Sequence, residues 1–587
     1  MKMLKKFILI LTIIFINNNL IAGLGTTTVG PGGIKRNIEV NEIEDVKIPE
    51  KKDEINQEQE IESFELKDID ANTVGTLAED DGGLSYKMWE GSERDLIKKY
   101  LKDLPINLES NLAIDLMKKV LLSSADIPGS DKEIDLILIR INKLLQLGDF
   151  DNAKSLIDLV SDKNNEEILI KQTEINLSLN NFDLVCSDIE NKRNDFKENF
   201  FWRKVEIFCQ ILNNQLNKAN LSLSLLKEDN NFNDNKFLKI IDSLVYKEEI
   251  DNKDLDDLNL LNLAMTRVAN INLKEDYVLK NNPLLLSMIY RMPNAPIKLR
   301  IEAIERSKKL INLPIETIEE IYNSYELSKK DIKISLNEDI LLGYESQAIL
   351  YQMAIAEENN EKKAKILKKS LDLAIINGNF SLISNLNLKT LIEIKPSKKL
   401  SWFAAIASKS LLASNQIDEA LEWFEILEKE KNEDINFFKD FVETWLIIEF
   451  FYLRNNEINY KSIPQEDILK SLDKFENKEE FANFDTLGFY ILKIFGVEIH
   501  PKFWFINLKN KEFDSSILPN SSLISLLEYS SKNNKIGETI LLILMSLNGK
   551  NFNEFHPFFL QTVISSLNQI GLRENTFDLA VETLIDR

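Results

Sequence analysis

From Leu96 onward, apolar residues return every third or fourth position, as in Leu96–Ile97–Tyr100–Leu101 and Leu112–Leu116–Val120. That period is the signature of amphipathic helices. Short polar turns separate the apolar stripes, and no period-two run rich in β-branched residues interrupts them. Three stretches repeat one another: "LGDFDNAKSLIDLV" (147–160), "LNNFDLVCSDIE" (179–190) and "NNQLNKANLSLSLL" (213–226). Aligned on the small residue after each turn, Ala153, Cys186 and Ala219 fall 33 residues apart. Helical pairs repeated at such a period bury their apolar faces only by stacking. The pattern therefore predicts an all-α fold, an α-solenoid of stacked helix-turn-helix repeats with irregular helical pairs.

A later stretch, "WFAAIASKSLLASNQIDEALEWFEILEKE" (402–430), has the same grammar. It resembles tetratricopeptide-like repeats. Ala420 takes the small position of the second helix, Phe424 the aromatic position four residues on, and Ser408 the small position of the first helix. The likeness is strongest over 402–430 and partial over 133–228, and the Pro that often closes each unit of that family is missing. The resemblance implies a concave groove that takes a protein or peptide partner. By the same register, Asn142, Lys171, Phe201 and Lys204 take inward positions on first helices and are the candidate partner-binding residues. Two stretches, "FWRKVEIFCQILNNQLNKANLSLSLLKE" and "GLRENTFDLAVETLI", also resemble a family of exported helical proteins of alphaproteobacteria. That likeness carries no activity with it.

The helical pattern does not reach the N-terminus. Lys2, Lys5 and Lys6 precede the apolar "FILILTIIFI" (7–16), and "NNNLIAG" then offers cleavage after Ala22. This reads as a signal peptide, residues 1–22, too short for a comfortable membrane span. It predicts a periplasmic or secreted protein with no membrane insertion after cleavage; an uncleaved inner-membrane anchor is the other reading. Residues 23–70 begin Gly-rich and continue with thirteen Asp or Glu against four Lys over 39–70, which reads as a disordered leader. Residues 71–92 carry Leu84, Tyr86, Met88 and Trp89 and read as an extended segment docking on the body. Ser92 with Asp95 three residues on looks like the cap of the first helix. The body then divides into repeats over 93–235, irregular pairs over 236–340, repeats over 341–440 and a C-terminal helical region over 441–587.

Composition adds exclusions. Gly (18) and Pro (13) are scarce for 587 residues, which favours long helices over turn-rich β structure. A net charge of −23 with no basic patch argues against nucleic-acid binding. The Gly-rich leader lacks the Lys-Ser/Thr ending of a phosphate loop, and "AEDDGG" lacks the alternating acids of a calcium loop, so neither cofactor nor metal is expected. His500 and His556 each precede Pro in an aromatic setting and read as packed or capping residues. Among enzymes, lytic transglycosylases of the cell envelope combine helical superhelices with a Glu-Ser pair. Glu345–Ser346 offers that pair without the Gly-Leu-Met-Gln continuation, so no catalytic residue is assigned. A structural subunit of an envelope complex is a third reading.

The only two cysteines, Cys186 and Cys209, fall near the start of one helix and late in the next. Consecutive helices run antiparallel, so the two sit at one level, where Cα atoms can approach within the roughly 4.4–6.8 Å of a disulfide. An oxidising compartment would allow the bond, and the competing reading is two small core residues that never meet.

Overall fold

The structure is a computed structural model. It describes residues 70–129, 134–161, 165–192, 198–250, 258–271, 276–279, 282–293, 295–307, 313–328, 332, 343–455, 461–475, 487–507 and 516–585. The signal peptide with its Ala22 site, and the leader through residue 69, lie outside them. Among the described residues there are helices and two isolated bridges, Leu77 with Ser123 and Ile517 with Phe555, but no strand. The fold is all-α.

The helices, numbered along the chain, begin with α1 (Arg94–Asp103), α2 (Asn111–Leu122), α3 (Asp135–Gln146), α4 (Phe150–Asp158), α5 (Glu166–Ser178), α6 (Phe182–Lys192), α7 (Phe200–Leu212) and α8 (Leu216–Lys227). Then come α9 (Asn235–Tyr246), α10 (Leu260–Val268), α11 (Asp276–Leu279), α12 (Pro283–Tyr290), α13 (Ile297–Ser307) and α14 (Ile315–Asn323). The second half contains α15 (Ser346–Ala356), α16 (Asn360–Ile376), α17 (Phe380–Ile392), α18 (Ser401–Ala413), α19 (Ile417–Glu430) and α20 (Ile435–Arg454). It closes with α21 (Gln465–Leu472), α22 (Leu487–Ile494), α23 (Pro501–Asn507), α24 (Ser521–Lys532), α25 (Ile536–Leu547), α26 (Pro557–Gln569) and α27 (Arg573–Ile585).

Seven of the hairpins share one backbone device. The second residue past the first helix is left-handed, and in these it is Gly or Asn: Gly148, Asn180, Asn214, Gly378, Asn415, Asn534 and Gly571, with φ between 54° and 83°. Asn tolerates that conformation better than other residues with a Cβ. The next amide then bonds back into the helix just ended, as in Asp149 N–H to Leu144 O (2.9 Å), Gln215 to Gln210 (2.8 Å) and Gln416 to Leu411 (2.8 Å). This satisfies otherwise orphaned carbonyls and turns the chain straight into the second helix. Runs of Asn between apolar stripes are thus helix stops.

Small residues sit where paired helices cross. Ser408 and Ala420 are fully buried, and the Ser408 hydroxyl donates to the Ala420 carbonyl at 3.0 Å, which only a small side chain opposite permits. Phe403 meets Trp423 edge-on, and Phe424 stacks on Phe441 of α20. Ala153 and Ala219 are likewise buried at their crossings.

Two long-range arrangements depart from a simple open row of pairs. First, α10 packs along α5 and α12 beside α3, so later helices of the same chain cover first helices of the opening repeats. Arg267 of α10 donates to the Leu177 carbonyl at the end of α5 (3.0 Å) and lies over the Phe182 ring. Second, the end of the chain packs on its beginning: α25 against α1 and α2, and α27 against α2 and α20. Residues 70–92 join this seam. Leu84, Met88 and Trp89 are buried, the Met88 carbonyl accepts the Gly537 amide at 2.8 Å, and a Cβ at Gly537 would stand 2.3 Å from the Trp89 ring. Ser92 does not cap α1. Glu93 holds the cap position without a side-chain bond, because the Ser92 hydroxyl is drawn to the buried Glu538 carboxylate at 3.1 Å.

Candidate functional site

Where the first and last helices meet the middle of the chain, a cleft of about 820 Å³ opens. Asn111 and Asp115 of α2 line one wall, and Arg454, Glu574 and Asp578 another, with Asn415 of the α18–α19 turn at the third. Arg454, at the end of α20, bridges to Glu574 (2.7 Å) and Asp578 (3.2 Å) of α27. Glu582, one turn beyond Asp578, is buried, and its two oxygens accept the Asn111 and Leu112 amides at 3.1 and 2.9 Å. These are the first amides of α2, which have no partner within their own helix and attract negative charge. Burial nonetheless dominates and pushes the Glu582 carboxyl up to about 7, against the pull of those amides and of Ser110. Burial also raises Asp578, opposed by Arg454. Four carboxylates, Asp115, Glu574, Asp578 and Glu582, line the cleft with one guanidinium; Asp115 is also paired with Lys119 of its own helix at 3.0 Å, and burial makes Asp578 and Glu582 hold their protons unusually well.

A second, smaller cavity of about 520 Å³ lies between α3, α5 and the N-terminal ends of α10 and α12. Asn142 and Lys171, two of the residues singled out from the sequence, both line it. Lys171 also bridges to Glu174 at 2.8 Å. The other two lie elsewhere and are engaged. Lys204 bridges to Asp234 at 2.9 Å over the Phe237 ring, and Phe201 packs edge-on against Trp202, whose indole N–H donates to Glu166 at 3.2 Å. Lys143 of this second cavity was not legible in advance. It belongs to the apolar stripe of α3, and only the tertiary structure shows that its ammonium caps α1 by donating to Lys102 O (3.0 Å) and Leu104 O (2.8 Å).

Cys186 and Cys209 are joined as a disulfide with Cα atoms 5.4 Å apart, linking α6 to α7. We expect alkylation of the protein without reductant to label neither thiol, and mass spectrometry to show both labelled only after reduction. Both histidines hold helix starts: Nδ1 of His500 accepts the Lys502 amide (3.2 Å) and Nδ1 of His556 the Phe558 amide (3.1 Å). Glu345 precedes α15 and bridges to Lys298 at 3.3 Å, outside both cavities. Among the described residues no cluster of three His, Cys, Asp or Glu side chains is disposed to hold a metal, and no helix is long and apolar enough to cross a membrane. No protein-family model matches the chain, and no curated protein or solved structure does.

Proposed function

We propose that this chain is an exported helical-repeat scaffold of the tetratricopeptide-like kind that holds a segment of a protein partner. Export would follow from the N-terminal segment, with cleavage after Ala22 and delivery to the periplasm or outside the cell. The solenoid of stacked pairs supplies the rigid frame, and stacking of such pairs creates concave surfaces. The single observation that carries the reading is the cleft of about 820 Å³ bounded by α2, α18–α20 and α27. It is large enough for several residues of an extended peptide. The amides of Asn111 and Asn415 suit peptide main chain, since each offers both donors and an acceptor. Asp115, Glu574 and Asp578 outnumber Arg454 and Lys119 by one negative charge, which favours a cationic segment. The concave side of the opening repeats serves less well, because α10 and α12 already lie against α3 and α5.

A Lys-rich and a Glu-rich peptide of equal length, followed by fluorescence anisotropy, test this. The Lys-rich peptide is expected to bind, and the Asp115→Asn, Asp578→Asn double variant to weaken it about tenfold, the scale of losing charge-assisted contacts. The acidic chain attracts any polycation, so Glu361→Gln with Asp372→Asn, the same charge change on exposed α16, is the control and should have little effect. Equal losses in the two double variants, or a preference for the Glu-rich peptide, would reject the cleft.

A further inference from the structure

Lys143 is 5% exposed and sits in the wall of the smaller cavity. Its two hydrogen bonds go to main-chain carbonyls and neither goes to a carboxylate. Burial lowers its pKa, with Asp103 pulling the other way. A buried cation whose bonds go only to carbonyls is costly, and an ammonium has three hydrogens, one more than those two carbonyls take. The surroundings extend this demand for an anion. Lys102 and Lys171 line the same space, and the only carboxylate among the lining residues, Glu174, is already shared with Lys171. The N-terminal end of α10, at Asn259 and Leu260, opens onto it as well, and helix N-termini favour negative charge. The rest of the wall is apolar: Ile139, Leu145, Leu260 and Leu284. The volume of about 520 Å³ falls within the usual range for small-molecule sites, roughly 300–1,000 Å³.

We propose that this cavity binds a small amphipathic carboxylate, with its charged end on Lys143 and Lys171 and its hydrocarbon end against Ile139, Leu145 and Leu284. A carboxylate fits better than phosphate. One negative charge satisfies the spare hydrogen of Lys143 beside a Lys171 that Glu174 already neutralises in part, whereas a dianion would meet Glu174 at close range. The site is separate from the seam cleft, so it stands or falls independently of the partner reading.

Decanoate is the probe, titrated calorimetrically into the full chain at neutral pH, with decanol and inorganic phosphate in parallel. Decanoate should bind at one saturable site at least about tenfold more tightly than decanol, which lacks the charge-assisted contact. Phosphate should be weaker than decanoate. Lys143→Met also removes the α1 cap and is unsuitable as the test. Lys171→Gln and Leu284→Asn lie at the half-buried margin, and each should weaken decanoate several-fold to about tenfold, on the scale of one charge-assisted contact or one buried side chain; Lys171→Gln should leave the thermal melt unchanged, and Leu284→Asn, whose side chain packs on the core, should still melt cooperatively. Equal affinity for decanol and decanoate, tighter binding of phosphate, or decanoate affinity unaltered in both variants would overturn the proposal.

Discussion

Arg140→Met is expected to destabilise the protein by about 4 kcal/mol, the scale of leaving several buried acceptors without a donor. The Arg140 side chain leaves α3 and enters the seam, where the residue is 4% exposed. Its Nε donates to Leu121 O at 2.7 Å and its Nη2 to Ser123 O at 3.0 Å, both at the end of α2. Its Nη1 donates to Val74 O at 2.7 Å and Asn72 O at 3.3 Å, in the segment that precedes α1. Burial brings the guanidinium down to about 10, still protonated at neutral pH. The group is a four-way clamp on carbonyls, and helix C-terminal carbonyls favour a cation. Chemical denaturation measures the loss, and hydrogen exchange should place it first at the Leu77, Ser124 and Ala125 amides, which tie 73–77 to the end of α2. Arg140→Lys should recover only part of it, because one ammonium cannot span three directions. A change under about 1 kcal/mol, within the range of ordinary surface substitutions and their error, would show that the clamp is not structural.

Glu582 should make stability fall as pH rises from about 4.5 to about 7. Its carboxyl is raised from 4.5 to about 7, chiefly by burial. A group whose folded pKa exceeds its unfolded value contributes fully below the unfolded value and loses that contribution as pH climbs through the folded one. The contribution is therefore intact below about pH 4.5 and gone above about pH 7, a swing of about 3 kcal/mol at order of magnitude. Asp578, raised by burial in the same wall, acts in the same direction, and the Arg454 it pairs with reduces its share. Glu582→Gln keeps an acceptor for the α2 amides and carries no charge. It should match the parent at pH 5 and exceed it in stability at pH 8, as read from denaturation midpoints at each pH. A variant less stable than the parent at pH 8 would show that the charged carboxylate is the stabilising form there. The Asn111 and Leu112 amides should also exchange faster in the parent than in the variant at pH 8, after correction for intrinsic rates.

The sequence by itself determined the helices and the way neighbouring ones turn. An amphipathic stripe is written in consecutive residues, and so is a helix stop, whether Gly148 or Asn180, Asn214 and Asn415. The spacing of Ala153, Cys186 and Ala219 could be read because each interacts with the helix next in order, so local geometry limits where its neighbour lies. The approach of Cys186 to Cys209 belongs to the same level of description. Ser92 marks its edge: a sound local cap was overridden by Glu538, 446 residues away. Everything at that range was decided by tertiary structure alone. The packing of α25 and α27 on α2, the laying of α10 along α5, and the burial of Arg140, Lys143 and Glu582 leave no period in the chain. The physical reason is that a charged residue inside a helical stripe looks the same whether it faces water or a neighbour's terminal amides or carbonyls. Only the assembled helices decide which it meets, and both cavities are made of such meetings.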